Sequence, residues 1–494
     1  MEGRLVNIPQ PTLCRNFIAG KWEEPGNTKT LPLLSPYNNQ DLGSVVVSTK
    51  ESVHAAVSAA HKTFQTWKNL PIKERSRPLF KFRELVLQHI EELANVAAAE
   101  AGKSVGEARA GIEKGVEVCE FALSLQNLDT GGVMDVSRGV SCQFRREALG
   151  VVAGIVPFNF PAMVPMWMFP IAVTLGNCII MKPSEKVPRT LNMMAELMHQ
   201  AGYPAGVFSL VNGDRSTVEA LIDHPQVEAV AFVGSTPVAR SIYARASSHG
   251  KRALALGGAK NQIIVVPDAD EQVTVRGAVD SFTGCAGQRC MAASLMLAVG
   301  DVEHLISRVA AEVRSMTLGQ SMGAIIDKAA LKRIRDAIDD AERRGAKILV
   351  DGRKTPAPAG YEQGNWIGPT IIDQAKADWP CAKDEIFGPV LTIVRCNSLA
   401  DAMQIEASST YGNATSVFTT NGAVARFVSE HATSGMIGVN VGVPVPREPF
   451  SFGGTKQSKF GVGDITGTSV LDFWTNLKKI TTKWTMQQDA TWMS

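Results

Sequence analysis

Cysteine and histidine are sparse in this chain, and both shortages exclude a class of protein. The 494 residues contain 8 cysteines, spread along the chain without a Cys-x-x-Cys pair. We therefore expect no disulfide framework; the reduced thiols favour the cytoplasm, or the mitochondrial matrix if the source is eukaryotic and the chain processed. The 8 histidines form no ligand-like cluster and no His-Glu-x-x-His run occurs, so no metal site is expected.

Charge and hydropathy exclude nucleic acid and membrane as partners. The chain has 50 Lys and Arg against 48 Asp and Glu, without a basic stripe or a basic tail. Residues 1–17 have no apolar core of the signal-peptide type. No charge occurs between Glu147 and Lys182, and a spanning helix needs roughly 20 apolar residues. This uncharged stretch is, however, interrupted by Pro157, Asn159, Pro161, Pro165, Pro170 and Asn177. It is better explained as a buried strand, loop, helix and strand.

The middle of the chain alternates short apolar segments with helical patterns. Strands are predicted at 151–156, 178–181, 207–211, 227–233 and 262–266. Helices are predicted between them at 162–175, 190–201, 216–223 and 238–246. Such alternation predicts a parallel sheet that is covered on both faces and binds its ligand at the carboxyl ends of the strands.

The flanking segments predict further structural units. Residues 51–120 have a helical pattern that is broken at Pro71 and Gly102, and a helix is predicted at 328–345 within a second strand–helix alternation. The segments 133–146 and 475–484 have the polar alternation of exposed strands, which often pair between subunits. A chain of this length predicts two or three domains.

The segment Phe-Thr-Gly-Cys-Ala-Gly-Gln-Arg-Cys at 282–290 is the most informative in the chain. A cysteine reacts as its thiolate, which must be accessible and electrostatically supported. The small residues leave room for a substrate beside the sulfur, and Arg289 adds a fixed positive charge. We predict that Cys290 is a nucleophile rather than a packing residue. Cys285 is interpreted as a packing residue, with a resolving thiol in oxidative protection as the alternative.

Five segments, in order along nearly the whole chain, resemble the aldehyde dehydrogenase superfamily. They are Pro-Phe-Asn-Phe-Pro (157–161), Lys-Pro-Ser-Glu (182–185), Phe-Val-Gly-Ser-Thr (232–236), Gly-Gln-Arg-Cys (287–290) and Glu-Ile-Phe-Gly-Pro-Val (385–390). Within the superfamily, the segments 160–167, 255–261 and 287–292 are similar to the CoA-acylating methylmalonate-semialdehyde dehydrogenases.

The resemblance implies an α/β fold of three parts and a homodimer or homotetramer. These parts are a Rossmann-type NAD domain (1–127 and 147–256), an α/β catalytic domain (257–444) and small β bridging or oligomerisation elements (128–146 and 445–494).

The resemblance also implies NAD as the cofactor. Lys182 and Glu185 would reach the adenosine ribose, where a carboxylate accepts from a free 2′-hydroxyl and repels a 2′-phosphate; this favours NAD over NADP. Lys186, beside them, would tolerate that phosphate. The remaining implied contacts are Val156, Phe158, Ser235 at a helix N-terminus, Gly257, and Glu385 at the nicotinamide ribose. Phe387 is expected to pack. No Gly-x-Gly-x-x-Gly occurs, so the dinucleotide would bind in the family's variant manner.

The implied reaction begins with attack of Cys290 on an aldehyde. The Asn159 amide and the Cys290 backbone N–H would stabilise the oxyanion that forms. Hydrolytic relatives carry a glutamate base where this chain has Ala255, and residues 253–262 contain no acid. Because general-base assistance is worth roughly 10²–10⁴-fold, transfer of the acyl group to coenzyme A is preferred over hydrolysis.

The substrate is implied to be malonate or methylmalonate semialdehyde. Arg289 would bind its carboxylate bidentately, but Lys114 stands where the family usually has a second arginine, and lysine lacks the planar fork. If Lys114 binds the carboxylate, the products are acetyl-CoA or propionyl-CoA, CO2 and NADH. If it does not, the alternative is an uncharged short aldehyde, with acylating or hydrolytic chemistry. A noncatalytic scaffold is a third reading, disfavoured by the intact motif residues.

Overall fold

The computed structural model describes residues 5–24, 26–128 and 131–484. Its helices are α1 (Lys50–Trp67), α2 (Ile72–Gln88), α3 (Ile90–Ala101), α4 (Val105–Leu128), α5 (Met163–Thr174), α6 (Pro188–Gln200), α7 (Arg215–Asp223), α8 (Thr236–Ser248), α9 (Glu271–Thr283), α10 (Glu303–Arg314), α11 (Lys328–Arg343), α12 (Pro380–Lys383), α13 (Leu399–Ser408), α14 (Gly422–His431) and α15 (Val470–Trp474). Short 3-10 turns lie at Gly284–Gly287 and Gly352–Lys354.

The strands of the same described residues form two large and three small sheets. In chain order they are β1 (Thr12–Cys14), β2 (Phe17–Ile18), β3 (Lys21–Trp22), β4 (Thr30–Leu34), β5 (Asp41–Val46), β6 (Gly132–Ser137), β7 (Val140–Ala148), β8 (Val151–Ile155), β9 (Cys178–Lys182), β10 (Phe208–Leu210), β11 (Val227–Val233), β12 (Arg252–Leu256), β13 (Asn261–Val265), β14 (Ala293–Val299), β15 (Lys347–Val350), β16 (Thr370–Asp373), β17 (Val390–Cys396), β18 (Tyr411–Gly412), β19 (Ala414–Phe418), β20 (Met436–Val439), β21 (Thr455–Lys456), β22 (Lys459–Phe460) and β23 (Thr475–Lys483).

The first large sheet has the order β22-β12-β11-β8-β9-β10-β2-β3. Its five central strands are parallel, and the antiparallel β22 and β2 flank them. From β8 the chain adds β9 and β10 on one side and then β11 and β12 on the other. The order therefore reverses between β8 and β11, and sheets of this kind bind their ligands at the carboxyl ends of the strands beside such a reversal.

The predicted parallel sheet is confirmed for four of its five strands, β8 to β11. The prediction for 262–266 was right about the strand, β13, but wrong about its sheet. Strand β13 belongs to the second large sheet, between β14 and β19. The fifth parallel strand is β12, which lies next to β11. An apolar run indicates a buried strand but not its partner, and the turn 257–260 between β12 and β13 carries the chain from one sheet to the other.

The second large sheet has the order β15-β16-β17-β14-β13-β19-β20 and is parallel except for the edge strand β15. Helix α11, predicted at 328–345, is confirmed. Buried residues of the two large sheets form one apolar cluster, and a smaller cluster lies around Ile263, Phe282 and Phe418. The site is therefore built on two packed parallel sheets.

Helices α1 to α4 confirm the helical prediction for 51–120. The breaks at Pro71 and Gly102 are present, and a third falls at His89. Gly102 ends α3 in the left-handed region with φ 77°. Helix α4 then begins with a reciprocal cap, in which Ser104 N donates to Glu107 Oε2 and Glu107 N donates to Ser104 Oγ. Glu107 and Lys114, seven residues apart, share one face of α4.

A third sheet, β23-β7-β6, is antiparallel and formed by the two segments predicted as exposed strands. Val133 and Met134 on β6 are 70% and 69% exposed. Among the described residues, no helix has the length and apolarity needed to cross a bilayer.

Candidate active site

The cysteine segment follows α9 in a tight left-handed turn. Cys285, Ala286 and Gly287 have φ of 51°, 53° and 68°. Non-glycine residues in this region cost of order 1–3 kcal/mol each, so neighbouring groups must hold the turn. Cys285 N donates to Glu107 Oε1 at 2.5 Å, and Gln288 N donates to Cys285 O at 3.0 Å. Helix α4 thus anchors the turn that carries Cys290.

Two buried asparagines hold the backbone of the predicted nucleophile. The carbonyl of Cys290 accepts from Asn261 Nδ2 at 2.7 Å and from Asn413 Nδ2 at 2.9 Å. Asn413 also donates to Asn261 Oδ1 at 3.2 Å. The two amides come from the beginning of β13 and the residue before β19, neighbouring strands of the second sheet. The position of Cys290 is therefore determined by neutral, buried hydrogen bonds.

Asn159 lies in the loop after β8 and reaches the same segment. Its side chain is buried and Nδ2 donates to the carbonyl oxygen of Gln288 at 3.0 Å. An amide nitrogen has two hydrogens, and this bond uses one. The structure thus brings Asn159 to the cysteine segment, as an oxyanion role requires.

A cavity of about 410 Å³ opens beside Cys290. Most of its wall is apolar, from Phe160, Met163, Trp167, Met291, Val443, Val445 and Phe452. Three charged residues also line it: Glu107, Lys114 and Arg289. An apolar pocket with few polar groups is typical of a small-molecule site. Both predicted carboxylate-binding cations and the predicted nucleophile therefore face one cavity.

The positive charge of Arg289 is directed at Cys285 rather than Cys290. Arg289 Nε donates to Cys285 Sγ at 3.3 Å, and Nη2 lies 3.6 Å from Glu107 Oε1. Cys285 is buried, although it also lines the cavity. A substrate carboxylate at Arg289 would share the guanidinium with Glu107.

The thiol of Cys290 is held in its neutral form. Burial, and after it the negative charge of Glu385, raises its pKa to about 12. Lys103, not Arg289, is the cation that opposes this rise. Lys103 is itself buried, with Nζ 3.3 Å from the centre of the Phe160 ring, and burial lowers its pKa. The expected electrostatic support of the thiolate therefore comes from a different side chain than the one predicted.

Lys114 is engaged by carboxylates at the other end of the cavity. Its Nζ donates to Glu117 Oε2 at 2.7 Å and lies 3.8 Å from Glu448 Oε2. Arg447 Nε lies 3.9 Å from Glu117 Oε2. We call these four residues, Lys114, Glu117, Arg447 and Glu448, the distal charge cluster.

The predicted adenosine-ribose residues lie at the carboxyl end of β9. Lys182 is buried, its Nζ donates to Glu185 Oε2 at 3.2 Å, and burial lowers its pKa against the opposing charge of Glu185. Lys186 turns away from this pair: its Nζ donates to Asp327 Oδ2 at 2.5 Å and lies 5.4 Å from the centre of the Phe158 ring. A cation already paired with Asp327 is a poor receptor for a 2′-phosphate.

The other predicted cofactor residues lie at neighbouring strand ends. Val156 follows β8, and its N donates to Lys182 O at 3.1 Å. Ser235 is the exposed N-cap residue of α8, after β11, and its side chain makes no capping bond. Gly257 follows β12, where a Cβ would lie 2.7 Å from Gln457 O and 2.8 Å from Thr236 Oγ1. A helix N-terminus beside a glycine cradle fits the pyrophosphate of a dinucleotide. Phe158 packs edge-on against Phe387, as expected for Phe387.

Glu385 lies against the turn that follows β12, and its charge acts on Cys290. Its Oε1 accepts from Ala259 N at 3.1 Å, and Gly258 leaves the space that its Oε2 occupies. Burial raises the pKa of Glu385 to about 7, against the bond from Ala259 and the charge of Lys260. Burial lowers the pKa of Lys260 to about 8. Ala255, by contrast, is buried within β12, between the strand positions of Phe232 and Phe460.

Sequence reasoning missed Lys103, Asn261 and Asn413 as site residues. Asparagine is depleted in strands, so Asn261 at the head of the apolar β13 was a usable signal. The signal for Lys103 was weaker, because it consists only of a lysine directly after the glycine that ends a helix. Among the described residues, no group of three or more His, Cys, Asp or Glu has a metal-binding arrangement.

The profile of the aldehyde dehydrogenase family matches residues 22–480. The chain belongs to this family. It is 41% identical to malonate-semialdehyde dehydrogenase 1 of Geobacillus thermodenitrificans, over 95% of this chain and 98% of that protein. It is 38% identical to the human mitochondrial methylmalonate-semialdehyde/malonate-semialdehyde dehydrogenase [acylating], over 96% of this chain and 90% of that protein.

Solved structures agree with the sequence relatives. A Sinorhizobium meliloti protein assigned as a methylmalonate-semialdehyde dehydrogenase, solved with NAD, superposes with a TM-score of 0.95 at 38% identity, covering 97% of this chain and 99% of that chain. The methylmalonate-semialdehyde dehydrogenase of Oceanimonas doudoroffii gives 0.94 at 38% identity, with 96% and 99% covered. The predicted aldehyde dehydrogenase-like α/β fold is confirmed.

Proposed function

We propose that this chain oxidises malonate or methylmalonate semialdehyde with NAD and transfers the acyl group to coenzyme A, giving acetyl-CoA or propionyl-CoA, CO2 and NADH. The observation that carries the proposal is the single cavity lined by Cys290, Arg289 and Lys114. The names of the relatives, with full-length identities near 40%, support it.

The residues at the strand ends fit a dinucleotide. Lys182 and Glu185 would hold the adenosine ribose, Ser235 and Gly257 the pyrophosphate, Val156 and Phe158 the walls, and Glu385 the nicotinamide ribose. The pairing of Lys186 with Asp327 supports NAD over NADP. NAD, when bound, accepts the hydride that leaves the aldehyde carbon.

Cys290 acts first in the proposed chemistry. Its sulfur bonds to the aldehyde carbon, and the former carbonyl oxygen becomes an oxyanion that accepts from the Asn159 amide and from Cys290 N–H. The thiol proton passes to solvent water, which reaches the partly exposed Cys290, as the carbon–sulfur bond forms. Loss of hydride from the same carbon leaves a thioester on Cys290.

Release of the acyl group distinguishes acylation from hydrolysis. The carboxylate on the carbon next to the thioester carbonyl leaves as CO2, and the enolate that remains takes up a proton from water. The sulfur of coenzyme A then bonds to the acyl carbon and loses its proton, and the sulfur of Cys290 leaves as the thiolate. Ala255 supplies no base for water, and a thiol needs less help because its pKa is nearer neutrality. These two arguments support acylation.

The alternative substrate, an uncharged short aldehyde, is favoured by the bond from Lys114 to Glu117, which occupies one of the two predicted carboxylate-binding cations. Glu107, a carboxylate inside the cavity, is the feature that favours hydrolysis.

We further propose the domain limits given above, with a homodimer or homotetramer formed through the sheet β23-β7-β6. The exposed apolar side chains of β6 support this. Residues 129–130 and 485–494 of the proposed bridging elements lie outside the described residues. The cytoplasm, or the matrix for a processed eukaryotic chain, stays the predicted compartment.

The test is NADH formation from malonate semialdehyde, methylmalonate semialdehyde and propionaldehyde, each with and without coenzyme A. We expect CoA-dependent turnover of the carboxylated aldehydes, with acetyl-CoA and propionyl-CoA as products. Equal turnover without coenzyme A, releasing a free acid, would contradict the acylating proposal.

A further inference from the structure

Glu448 has an unusual position beside the substrate cavity. Its side chain is 6% exposed, and its Oε2 is buried without a hydrogen-bond partner among the described residues. The cation beside this oxygen is Lys114, at 3.8 Å, too long for a hydrogen bond but close enough for strong attraction where water is excluded. Lys114 lines the larger cavity, whereas its two carboxylate partners, Glu117 and Glu448, line a smaller one of about 210 Å³.

The distal charge cluster is neutral before any substrate arrives. Two cations, Lys114 and Arg447, face two carboxylates, Glu117 and Glu448. A substrate carboxylate that approached Lys114 would compete with Glu117 for the ammonium protons and would be repelled by the buried charge of Glu448. Like charges brought together at a binding site select against the wrong ligand.

We propose that Glu448 is a specificity-determining residue that acts through Lys114. It lowers the preference of the site for aldehydes with a distal carboxylate, leaves Arg289 as the cation that recognises such substrates, and admits short uncharged aldehydes as well. This inference rests on the proposed function of the same cavity and names its substrate range.

The test compares the kcat/KM of malonate semialdehyde with that of propionaldehyde, both with coenzyme A, in wild type and Glu448→Gln. The amide keeps the size of the side chain and removes its charge. We expect the ratio of the two constants to rise by about tenfold, the factor that one charge-assisted hydrogen bond provides. An unchanged or lower ratio would overturn the proposal.

Glu120 offers a matched control. It lines the same small cavity but pairs with Arg83, with Nη2 to Oε1 at 2.6 Å, and not with Lys114. Glu120→Gln should leave the ratio unchanged, and a rise equal to that of Glu448→Gln would assign the effect to general charge and overturn the proposal.

A double-mutant cycle isolates the path through Lys114. Lys114→Met should reduce the ratio about tenfold more in the Glu448→Gln background than in wild type, because only there is the ammonium partly released. Equal reductions in both backgrounds would show that Glu448 does not act through Lys114.

Two further measurements distinguish a failure of this inference from misfolding of the variants and from a failure of the proposed function. Thermal unfolding and the propionaldehyde constant report whether the variants fold; if Glu448→Gln does not, Glu448→Ala carries the same expectation. Turnover of propionaldehyde without coenzyme A would reject the acylating proposal, yet the ratio of substrates would still test Glu448.

Discussion

The two ends of the substrate cavity differ in the side chains that hold them, which are mainly amides at one end and charged groups at the other. At the cysteine end, Cys290 is held by the neutral amides of Asn261 and Asn413, and Asn159 is bonded to the same segment. At the distal end, four charged side chains neutralise each other. Neutral hydrogen bonds to backbone fix the position of a reacting atom, whereas charges on long side chains adjust to a ligand. The contrast separates a rigid end for chemistry from an adaptable end for selection.

The largest effect is expected at the cysteine end. Cys290→Ser should reduce kcat by at least about 10⁴-fold, because removing a nucleophile removes the covalent route. The fall in kcat is measured as the rate of NADH formation in the presence of coenzyme A. Cys285→Ser, in the same segment, is the matched control and should retain most activity. If the two variants lost activity equally, the two cysteines could not be assigned different roles.

The second largest effect is expected for Asn159→Ala. It should reduce kcat by about 10²–10³-fold, which is the effect of removing one hydrogen-bond donor to an oxyanion. The KM for the aldehyde should change little, since the oxyanion develops only during reaction. Steady-state kinetics with propionaldehyde would separate the two constants. A rise in KM at unchanged kcat would make Asn159 a binding residue instead.

Glu385 sharpens the comparison because it is a carboxylate at the cysteine end. Glu385→Gln should weaken NAD binding by about 10–100-fold, through loss of a charged hydrogen-bond acceptor. With its pKa raised to about 7, the wild-type carboxyl is protonated as pH falls through 7 and ionised above it. NAD titrations should therefore show affinity falling below pH 7 in wild type and a flat profile in the variant.

The same variant should change the reactivity of the free thiol. The charge of Glu385 raises the pKa of Cys290, so its removal should lower that pKa and accelerate alkylation by iodoacetamide at pH 9. At pH 6, where Glu385 is already protonated, wild type and variant should react alike. A difference that persists at pH 6 would point to altered access rather than charge.

The smallest effect is expected for the response to salt of the attraction between the substrate carboxylate and Arg289. Raising ionic strength from about 0.05 to 0.5 M should increase the KM of malonate semialdehyde about two- to threefold, because exposed charges are screened. Propionaldehyde, which has no charge, should be unaffected. Equal effects on both aldehydes would place the salt response outside the recognition of the carboxylate.

Much of the fold was predictable because its signals are local. Continuous apolar strands separated by helical patterns identified β8 to β11, and Pro71 and Gly102 marked helix boundaries in 51–120. The misplacement of β13 had a nonlocal cause: strands of both sheets are equally apolar, and only packing decides which neighbours they pair with. The break between α2 and α3, at His89, was not predicted because no glycine or proline marks it.

The sequence alone determined that Cys290 is a candidate nucleophile. Through its resemblance to the aldehyde dehydrogenases it also implied that Asn159, Lys182, Glu185 and Glu385 belong to the same site, because the motifs that carry the resemblance are short and contiguous. It also determined that no acid occurs in 253–262, because that is a matter of composition. Only the tertiary structure decided which charged side chains lie near these residues. It directs Arg289 to Cys285 and brings the buried Lys103 close enough to oppose the rise in the pKa of Cys290. It also pairs Lys114 with Glu448, more than three hundred positions away. The physical reason is that electrostatic interaction depends on distance and burial, which the chain acquires only when its sheets and helices pack.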